Sequence, residues 1–229
     1  MVGDNREKAK RSDVIFLCVK PLDIKDVLRE LRDELTSDNL LISVAADFSL
    51  DDIASISRAR AARVIPSVAS ERSKGVSLVV FGKGTTASDR ALILSFFGTI
   101  GYPIEAKEKD LEVLADLTSS APAYISAIMQ EIVKAVVREG IAADTAEKLA
   151  KQTLAGTSEL LANECFDSLI SRVATRGGIT EEGVKAIQKH APTMFEELFA
   201  ATRDKHELVR HNIDAQGQLI KVENAISKT

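Results

Sequence analysis

The fold is decided by residues 12–46, which read SDVIFLCVKPLDIKDVLRELRDELTSDNLLISVAA. Two runs in this stretch, Val14 to Val19 and Leu40 to Ala46, are short and continuously apolar, which is typical of buried strands. Between them, apolar residues recur at helical spacing from Ile24 to Leu35. A strand, a helix and a second strand in this order predict a βαβ unit of a parallel sheet.

The same alternation continues to about residue 107. Ser49, with Asp52 three residues later, predicts a capped helix start. Further strands are predicted at residues 63–65, 76–81 and 102–105, and a helix at residues 88–97. Later residues show only helical periodicity, with predicted interruptions at Gly140, at Arg176-Gly177-Gly178 and at Pro192. The sequence therefore predicts an α/β domain over residues 1–107 and an all-α domain over residues 108–229.

The composition excludes several classes of function. The 229 residues are 45% hydrophobic and 28% charged, which is ordinary for a globular protein. The net charge of -4 and the scattered Lys and Arg residues give no basic face for nucleic acid or an anionic membrane. No Cys or His residues have metal-ligand spacing, the polar start lacks a signal peptide's apolar core, and the apolar runs are too short to span a bilayer. We therefore expect a cytoplasmic protein that binds no metal, nucleic acid or membrane.

Cysteine and histidine residues receive no functional role from the sequence. Cys18 and Cys165 lie in apolar surroundings and are interpreted as reduced core residues. The histidines are His190, His206 and His211. Their spacing on polar helix faces predicts solvated side chains.

The helix predicted at residues 122–139 is apolar on nearly every side. Its apolar residues include Ile125, Ile128, Met129, Ile132, Val133, Val136 and Val137. A helix of this kind must be buried against other elements, and the later helices are too few to cover it as well as their own apolar faces. We therefore predict a homodimer formed through the helical domain, or a higher oligomer. The alternative is a compact monomeric bundle.

A glycine motif follows the strand predicted at residues 76–81. Gly82-Lys83-Gly84-Thr85-Thr86-Ala87 fits G-x-G-x-x-A before a helix, and Glu105 follows at roughly the distance expected in a dinucleotide fingerprint. In that interpretation pyrophosphate would approach amides at the start of the helix. A cap at Thr85, Thr86 or Ser88 would instead leave the glycines in a surface loop. We favour the loop, because short glycine motifs recur by chance.

Two predicted helix starts in the second half are rich in small and hydroxyl residues. Gly177 and Gly178 precede Thr180, a natural N-cap residue. Besides capping, their amides could hold a small carboxylate together with Thr180 and Arg176. Residues 118–124, TSSAPAY, likewise run into a proline that suits the first turn of a helix. Helix capping alone would explain both segments. A tight substrate site between helices is the alternative explanation.

Five segments in order resemble the pyrroline-5-carboxylate reductase family over essentially the whole chain. They are residues 12–21 (SDVIFLCVKP), 41–46 (LISVAA), 63–67 (RVIPS), 120–124 (SAPAY) and 175–180 (TRGGIT), similar to the family's ADVVxLAVKP, LISIAAG, VRVMPN, SGPAY and SPGGTT. The resemblance implies an incomplete Rossmann-like nucleotide-binding domain followed by a helical dimerisation domain. It also implies reduction of 1-pyrroline-5-carboxylate to proline, the last step of proline biosynthesis, by hydride transfer from NADPH or NADH.

The resemblance further implies which residues form the site. Thr175, Arg176, Gly177, Gly178 and Thr180 would bind the substrate carboxylate, and Ser120 and Thr180 would be the catalytic residues. Asn5, Val19, Lys20, Pro21 and Ser67 would face NADP or NAD. The active site would lie between the nucleotide domain of one subunit and the helical domain of its dimer partner. Positioning of a protonated imine would supply most of the catalysis, so no strong acid–base pair is required.

The sequence departs from the family pattern in two respects. The family's opening strand, its G-x-G-x-x-G turn, its first helix and its second strand would precede Asn5, where this sequence has only Met1 to Asp4. Near the site, Ser67 replaces an Asn, Ser119 and Ala121 replace glycines, and Arg176 replaces a proline. Two hypotheses follow: an N-terminally truncated or divergent reductase, and a non-catalytic dimeric paralogue or small-acid-binding protein that has lost the cofactor site. Nucleotide binding at the Gly82 loop is a third.

Overall fold

The computed structural model describes residues 4–20, 23–45 and 48–226. The chain divides into two compact units. The first unit contains Met1–Pro122 and Thr202–Thr229, and the second contains Ala123–Ala201.

The first unit is built on a five-stranded mixed sheet in the order β1-β2-β3-β4-β5. The strands are β1 (Val14–Leu17), β2 (Leu40–Ser43), β3 (Arg60–Pro66), β4 (Gly75–Phe81) and β5 (Gly101–Glu105). Strands β1, β2 and β3 are mutually parallel, β4 is antiparallel to β3, and β5 is parallel to β4. The carboxyl ends of β1, β2 and β3 therefore lie at one edge of the sheet, and those of β4 and β5 lie at the opposite edge.

Helices cover both faces of this sheet. They are α1 (Asn5–Lys10), α2 (Ile24–Leu31), α3 (Leu50–Ile56), α4 (Ala87–Gly98) and α5 (Leu111–Ala115), with short 3-10 segments at Val68–Arg72 and Glu108–Asp110. One face buries Leu28 of α2 and Ile53 of α3 together with Phe48. The other face packs Ile93 and Phe97 of α4 on the sheet. The apolar runs that predicted the strands thus form two cores.

The remaining elements are helical. A π-helical segment, Asp116–Ser120, leads from α5 into α6 (Ala121–Arg138), which is followed by α7 (Ala143–Leu161), α8 (Phe166–Val173) and α9 (Ile179–Ile226). No strand occurs after Glu105 in the part of the chain that the structure describes. The predicted fold class, α/β followed by all-α, is confirmed.

Three details of the sequence prediction were wrong. Helix α9 continues through Pro192, although an interior proline removes a backbone hydrogen bond and crowds the preceding turn at a cost of about 3 kcal/mol, which the other hydrogen bonds of a 48-residue helix offset. Cys18 and Cys165 are exposed, not buried in the core. Their positions explain this, since β1 ends before Cys18 and Cys165 lies just before the first residue of α8.

A partly buried ion pair joins β3 to α4. Arg60 Nε lies 2.8 Å from Asp89 Oδ2, and Arg60 Nη2 lies 3.1 Å from Asp89 Oδ1. Asp89 also forms a capping box with Thr86, the N-cap residue of α4. The hydrogen bond from Arg60 is the main reason that the pKa of Asp89 lies below its usual value.

We expect Asp89→Ala to lower the free energy of unfolding at neutral pH by about 2–4 kcal/mol, because it removes the bidentate carboxylate partner of Arg60 and a capping group. A lowered folded-state pKa gives stability that is present above the unfolded value, about pH 4, and is lost as the pH falls through the folded value. The difference in the free energy of unfolding between wild type and variant should therefore be smaller in acid. Urea unfolding at about pH 7 and about pH 3 measures it. The exposed Asp51→Ala is the control, and an equal loss in both variants would contradict the role of the pair.

Candidate active site

Two side-chain contacts join β3 to residues 108–120, the segment that ends in Thr118, Ser119 and Ser120. Near the middle of β3, Arg63 Nη1 lies 3.0 Å from Glu108 Oε1, just before α5. At the end of β3, Ser119 donates a hydrogen bond of 3.3 Å to the carbonyl oxygen of Pro66. The π-helical segment is thereby held at the edge where β1, β2 and β3 end. π-Helical turns occur frequently at functional sites.

The family resemblance predicts Ser67 and Ser120 as site residues. Each of them lies next to one partner of the hydrogen bond between Ser119 and Pro66. Ser67 follows Pro66, is buried, and accepts a hydrogen bond from the Ala69 amide at the start of a 3-10 turn. Ser120 follows Ser119, is half-buried, and donates a hydrogen bond of 3.5 Å to Asp116 Oδ1. A predicted cofactor residue and a predicted catalytic residue thus belong to two directly linked segments.

Asp116 and His206 were not anticipated as part of this region. Asp116 is buried, and its Oδ1 atom lies 3.6 Å from His206 Nε2. The expectation that His206 is solvated was wrong, because α9 places it beside this carboxylate with only 21% of its side chain exposed. The one available sequence signal was an acidic residue within an otherwise apolar stretch, VLADL at residues 113–117.

The other predicted cofactor residues lie along β1. Asn5 begins α1, and together with Val19 it lines a cavity of about 290 Å³ beside β1. Lys20 is exposed just beyond the carboxyl end of β1. Pro21 lies outside the described residues. Ligands of open α/β sheets bind at the carboxyl ends of the strands, and Lys20 lies just beyond such an end.

The Gly82 motif lies at the opposite edge of the sheet. It follows β4, whose direction is opposite to that of β3. Helix α4 begins only at Ala87, after the N-cap Thr86, so the two glycines precede the helix in a loop where Gly84 has φ +102°. The late cap and the surface loop are confirmed.

The second unit carries the predicted carboxylate loop, residues 175–180. Thr175 to Gly178 forms a turn in which the Gly178 amide donates to the Thr175 carbonyl oxygen at 2.9 Å. Gly177 has φ +76°, a left-handed conformation that favours glycine. Helix α9 begins at Ile179, so Thr180 lies inside the first turn and not at the expected N-cap position. Thr175, Arg176 and Thr180 are exposed.

The amides of Gly177 and Gly178 already have partners within the chain. The Gly177 amide donates to Glu181 Oε2 at 2.8 Å, which was not foreseen. That hydrogen bond is the main cause that lowers the pKa of Glu181, and the neighbouring Lys185 adds to it. The Gly177 amide therefore binds a carboxylate, as predicted for a ligand. That carboxylate, however, is the side chain of Glu181 in the same chain.

Helix α6 exposes an apolar stripe that consists of Ile125, Ile128, Ile132 and Val136. Each of these side chains is at least 36% exposed, and the stripe follows helical spacing. Among residues 123–201, only Ala146 is buried. The second unit thus leaves its apolar surface open to a partner.

No group of three or more His, Cys, Asp or Glu residues that could hold a metal ion occurs among the described residues. Within the same residues, no helix is long and apolar enough to cross a membrane.

Comparison with known proteins agrees with the resemblance. Residues 108–208 match the family model for pyrroline-5-carboxylate reductase dimerisation, and residues 1–47 match the model for NADP oxidoreductase, coenzyme F420-dependent. The chain is 33% identical over 211 residues to pyrroline-5-carboxylate reductase 3 of Bacillus subtilis, covering 91% of this chain and 78% of that protein. It is 32% identical over 210 residues to ComE operon protein 4 of the same organism, covering 90% and 77%.

Solved structures show the same fold. The pyrroline-5-carboxylate reductase of Coxiella burnetii superimposes with a TM-score of 0.80 at 28% identity, covering 93% of this chain and 80% of that chain. The Plasmodium falciparum pyrroline carboxylate reductase with NADP bound gives a TM-score of 0.76 at 23% identity, covering 94% and 81%. This chain therefore belongs to the pyrroline-5-carboxylate reductase family and has the NAD(P)-dependent reductase fold and the dimerisation domain of that family.

Proposed function

We propose that this chain is an NAD(P)H-dependent reductase that converts 1-pyrroline-5-carboxylate to proline as a homodimer. Residues 1–107 serve as the nucleotide domain and residues 108–229 as the dimerisation and substrate domain. Each active site combines the strand ends and Ser120 of one protomer with the 175–180 loop of its partner. The observation that carries the proposal is the hydrogen bond from Ser119 to Pro66, which fixes the Ser120 segment at the edge where nucleotides bind in α/β sheets.

The nucleotide side of the site consists of Asn5, Val19, Lys20, Pro21 and Ser67. When bound there, NADPH or NADH supplies the hydride for the carbon of the C=N bond. The exposed Lys20 suits a phosphate, and Asn5 offers an amide donor beside the β1 cavity. Ser67 keeps its own turn in place through its bond to Ala69 and so shapes the floor of the site.

The substrate side consists of the loop from Thr175 to Thr180. Thr180 can donate its hydroxyl to the substrate carboxylate, and the exposed Arg176 can add a charged hydrogen bond. The Gly177 amide becomes available when Glu181 is displaced. These residues bind and orient the substrate, and orientation is the main requirement of hydride transfer to an imine.

The contact between Glu181 and Gly177 predicts competition with the substrate. We expect Glu181→Gln to lower KM for 1-pyrroline-5-carboxylate about three- to tenfold with kcat nearly unchanged, because the substrate carboxylate then displaces a neutral group. Glu182→Gln is the matched control, since Glu182 pairs with Lys185 and not with the loop. Steady-state kinetics of the three proteins measure this. An unchanged or higher KM in Glu181→Gln would contradict the competition.

A second candidate is a non-catalytic dimeric protein that binds a small acid. It is supported by the 32% identity of this chain to ComE operon protein 4, a protein whose name states no reductase activity. Calorimetric titration with NADPH and NADH, with and without proline, separates the candidates. The reductase predicts nucleotide binding with Kd of about 1–100 μM and NADPH oxidation that depends on 1-pyrroline-5-carboxylate. Proline binding without binding of either nucleotide would favour the second candidate.

A further inference from the structure

One side-chain oxygen of Glu108 joins two segments of the first unit. Glu108 Oε1 accepts a hydrogen bond of 2.8 Å from the Leu50 amide and lies 3.0 Å from Arg63 Nη1. Leu50 is the first residue of α3, and Arg63 lies within β3, the strand that pairs with β2. The carboxylate of Glu108 therefore holds the start of α3 against the sheet.

Both donors need an acceptor at this place. The amide groups in the first turn of a helix have no acceptor within the helix, and the N-cap Ser49 serves the Asp52 amide, not that of Leu50. Only 8% of the Arg63 side chain is exposed, and its buried Nε atom has no hydrogen-bond partner among the described residues. A charged guanidinium so far from water is costly unless it is paired. Glu108 supplies the opposite charge.

Glu108 also begins the segment that reaches the carboxyl end of β3. Its 3-10 turn, Glu108–Asp110, runs directly into α5 and then into the π-helical segment. Near the end of that segment, the Ser119 hydroxyl donates to the Pro66 carbonyl oxygen at 3.3 Å. Strand β3 is thus joined to this segment at two places, and the contact with Glu108 is the charged one. The position of Ser67, which directly follows Pro66, depends on both.

We infer that Glu108 is a positioning residue of the proposed nucleotide site, because its carboxylate sets where β3 and the start of α3 lie. This inference rests on the proposed function. Glu108 acts through Arg63 and Leu50 and is not itself among the residues proposed to contact a ligand. Ligands of open α/β sheets bind at the carboxyl ends of the strands, and Ser67 directly follows that end of β3. Loss of the carboxylate should therefore weaken nucleotide binding.

The test removes this carboxylate and then supplies another one. In calorimetric titrations of the full chain, Glu108→Ala should bind NADPH at least about tenfold more weakly than the wild type, because a displacement of about 1 Å in positioning groups has effects of this size. Sodium formate, whose carboxylate fits the space left by the Glu108 side chain, should bring the Kd back to within about threefold of the wild-type value. The same concentration of sodium chloride should not restore binding.

Two further variants complete the test. Glu112→Ala removes a carboxylate of the same segment that pairs with Arg210 at 3.0 Å, and it should bind NADPH as the wild type does, with or without formate. Glu108→Gln keeps the shape of the side chain but not its charge. It should bind NADPH about three- to tenfold more weakly than the wild type, without a response to formate, because a neutral acceptor pairs less strongly with a guanidinium. This variant keeps the test decisive if Glu108→Ala does not fold.

The possible outcomes separate the role of Glu108 from the proposed function. An unchanged NADPH affinity in either Glu108 variant would overturn the inference while leaving the reductase intact. A loss in Glu108→Ala that formate does not restore would also overturn it, since the residue would then act only through the bulk of its side chain. Failure of the wild-type chain to bind NADPH or NADH would overturn the proposed function itself.

Discussion

Replacing Gly178 by alanine is expected to lower kcat/KM for 1-pyrroline-5-carboxylate at least about 100-fold while the protein stays folded and dimeric. A Cβ atom at this position would lie 2.8 Å from Thr175 Oγ1 and 2.9 Å from the Thr175 carbonyl oxygen. The carbonyl is backbone and also accepts the Gly178 amide, so the turn has to open. A displacement of about 1 Å in a substrate-positioning group can cost about 100-fold in rate.

Gly183→Ala provides the matched control for this experiment. Gly183 lies four residues after Ile179 in α9, and a Cβ there would meet nothing within 4 Å. That variant should keep the wild-type kcat/KM, and alanine should slightly favour the helix. Steady-state kinetics and far-UV circular dichroism measure both variants. If Gly178→Ala retained the wild-type kcat/KM, the 175–180 loop would not bind the substrate.

The second large effect concerns the apolar stripe of α6. We expect Ile132→Glu to convert the dimer to a monomer at micromolar concentration and to reduce specific activity at least about tenfold. Ile132 lies in the middle of the stripe and is 48% exposed, and a carboxylate there would be buried without a partner in the dimer. Activity should fall with the dimer, because in the proposed site each protomer uses the 175–180 loop of its partner.

Lys134→Glu is the control for this substitution. Lys134 lies on the polar face of the same helix, where it pairs with Glu131 at 2.7 Å. The variant introduces the same acidic side chain away from the stripe and should remain dimeric. Sedimentation velocity gives the mass of each variant. A dimeric Ile132→Glu, or a monomeric form with full activity, would contradict the role of the stripe.

The secondary structure could largely be predicted from local patterns. Continuous apolar runs marked β1 and β2, and the pair Ser49 and Asp52 marked the capped start of α3, because both signals come from neighbouring residues. The direction of β4 was not predicted. The short connection after Pro66 permits an antiparallel pair, whereas a parallel pair needs a longer crossover.

The site was predictable only in part. The segments containing Ser120 and Gly178 stood out through small and hydroxyl residues in a short stretch. The hydrogen bond between Ser120 and Asp116 depends on the π-helical turn, and the contact between Asp116 and His206 joins residues 90 positions apart in the sequence. The Glu181 cap on Gly177 escaped prediction because two acids after a glycine pair are also ordinary helix-start residues.

Ser120 and Gly178 together offer the most direct test that the reductase site is assembled from two subunits. Ser120→Val and Gly178→Ala should each be nearly inactive alone. A heterodimer of the two, isolated with two different affinity tags, should recover about half of the wild-type activity, because one of its two sites combines an intact Ser120 with an intact loop. A heterodimer as inactive as its parents would place both groups in the site of a single chain and contradict the shared active site.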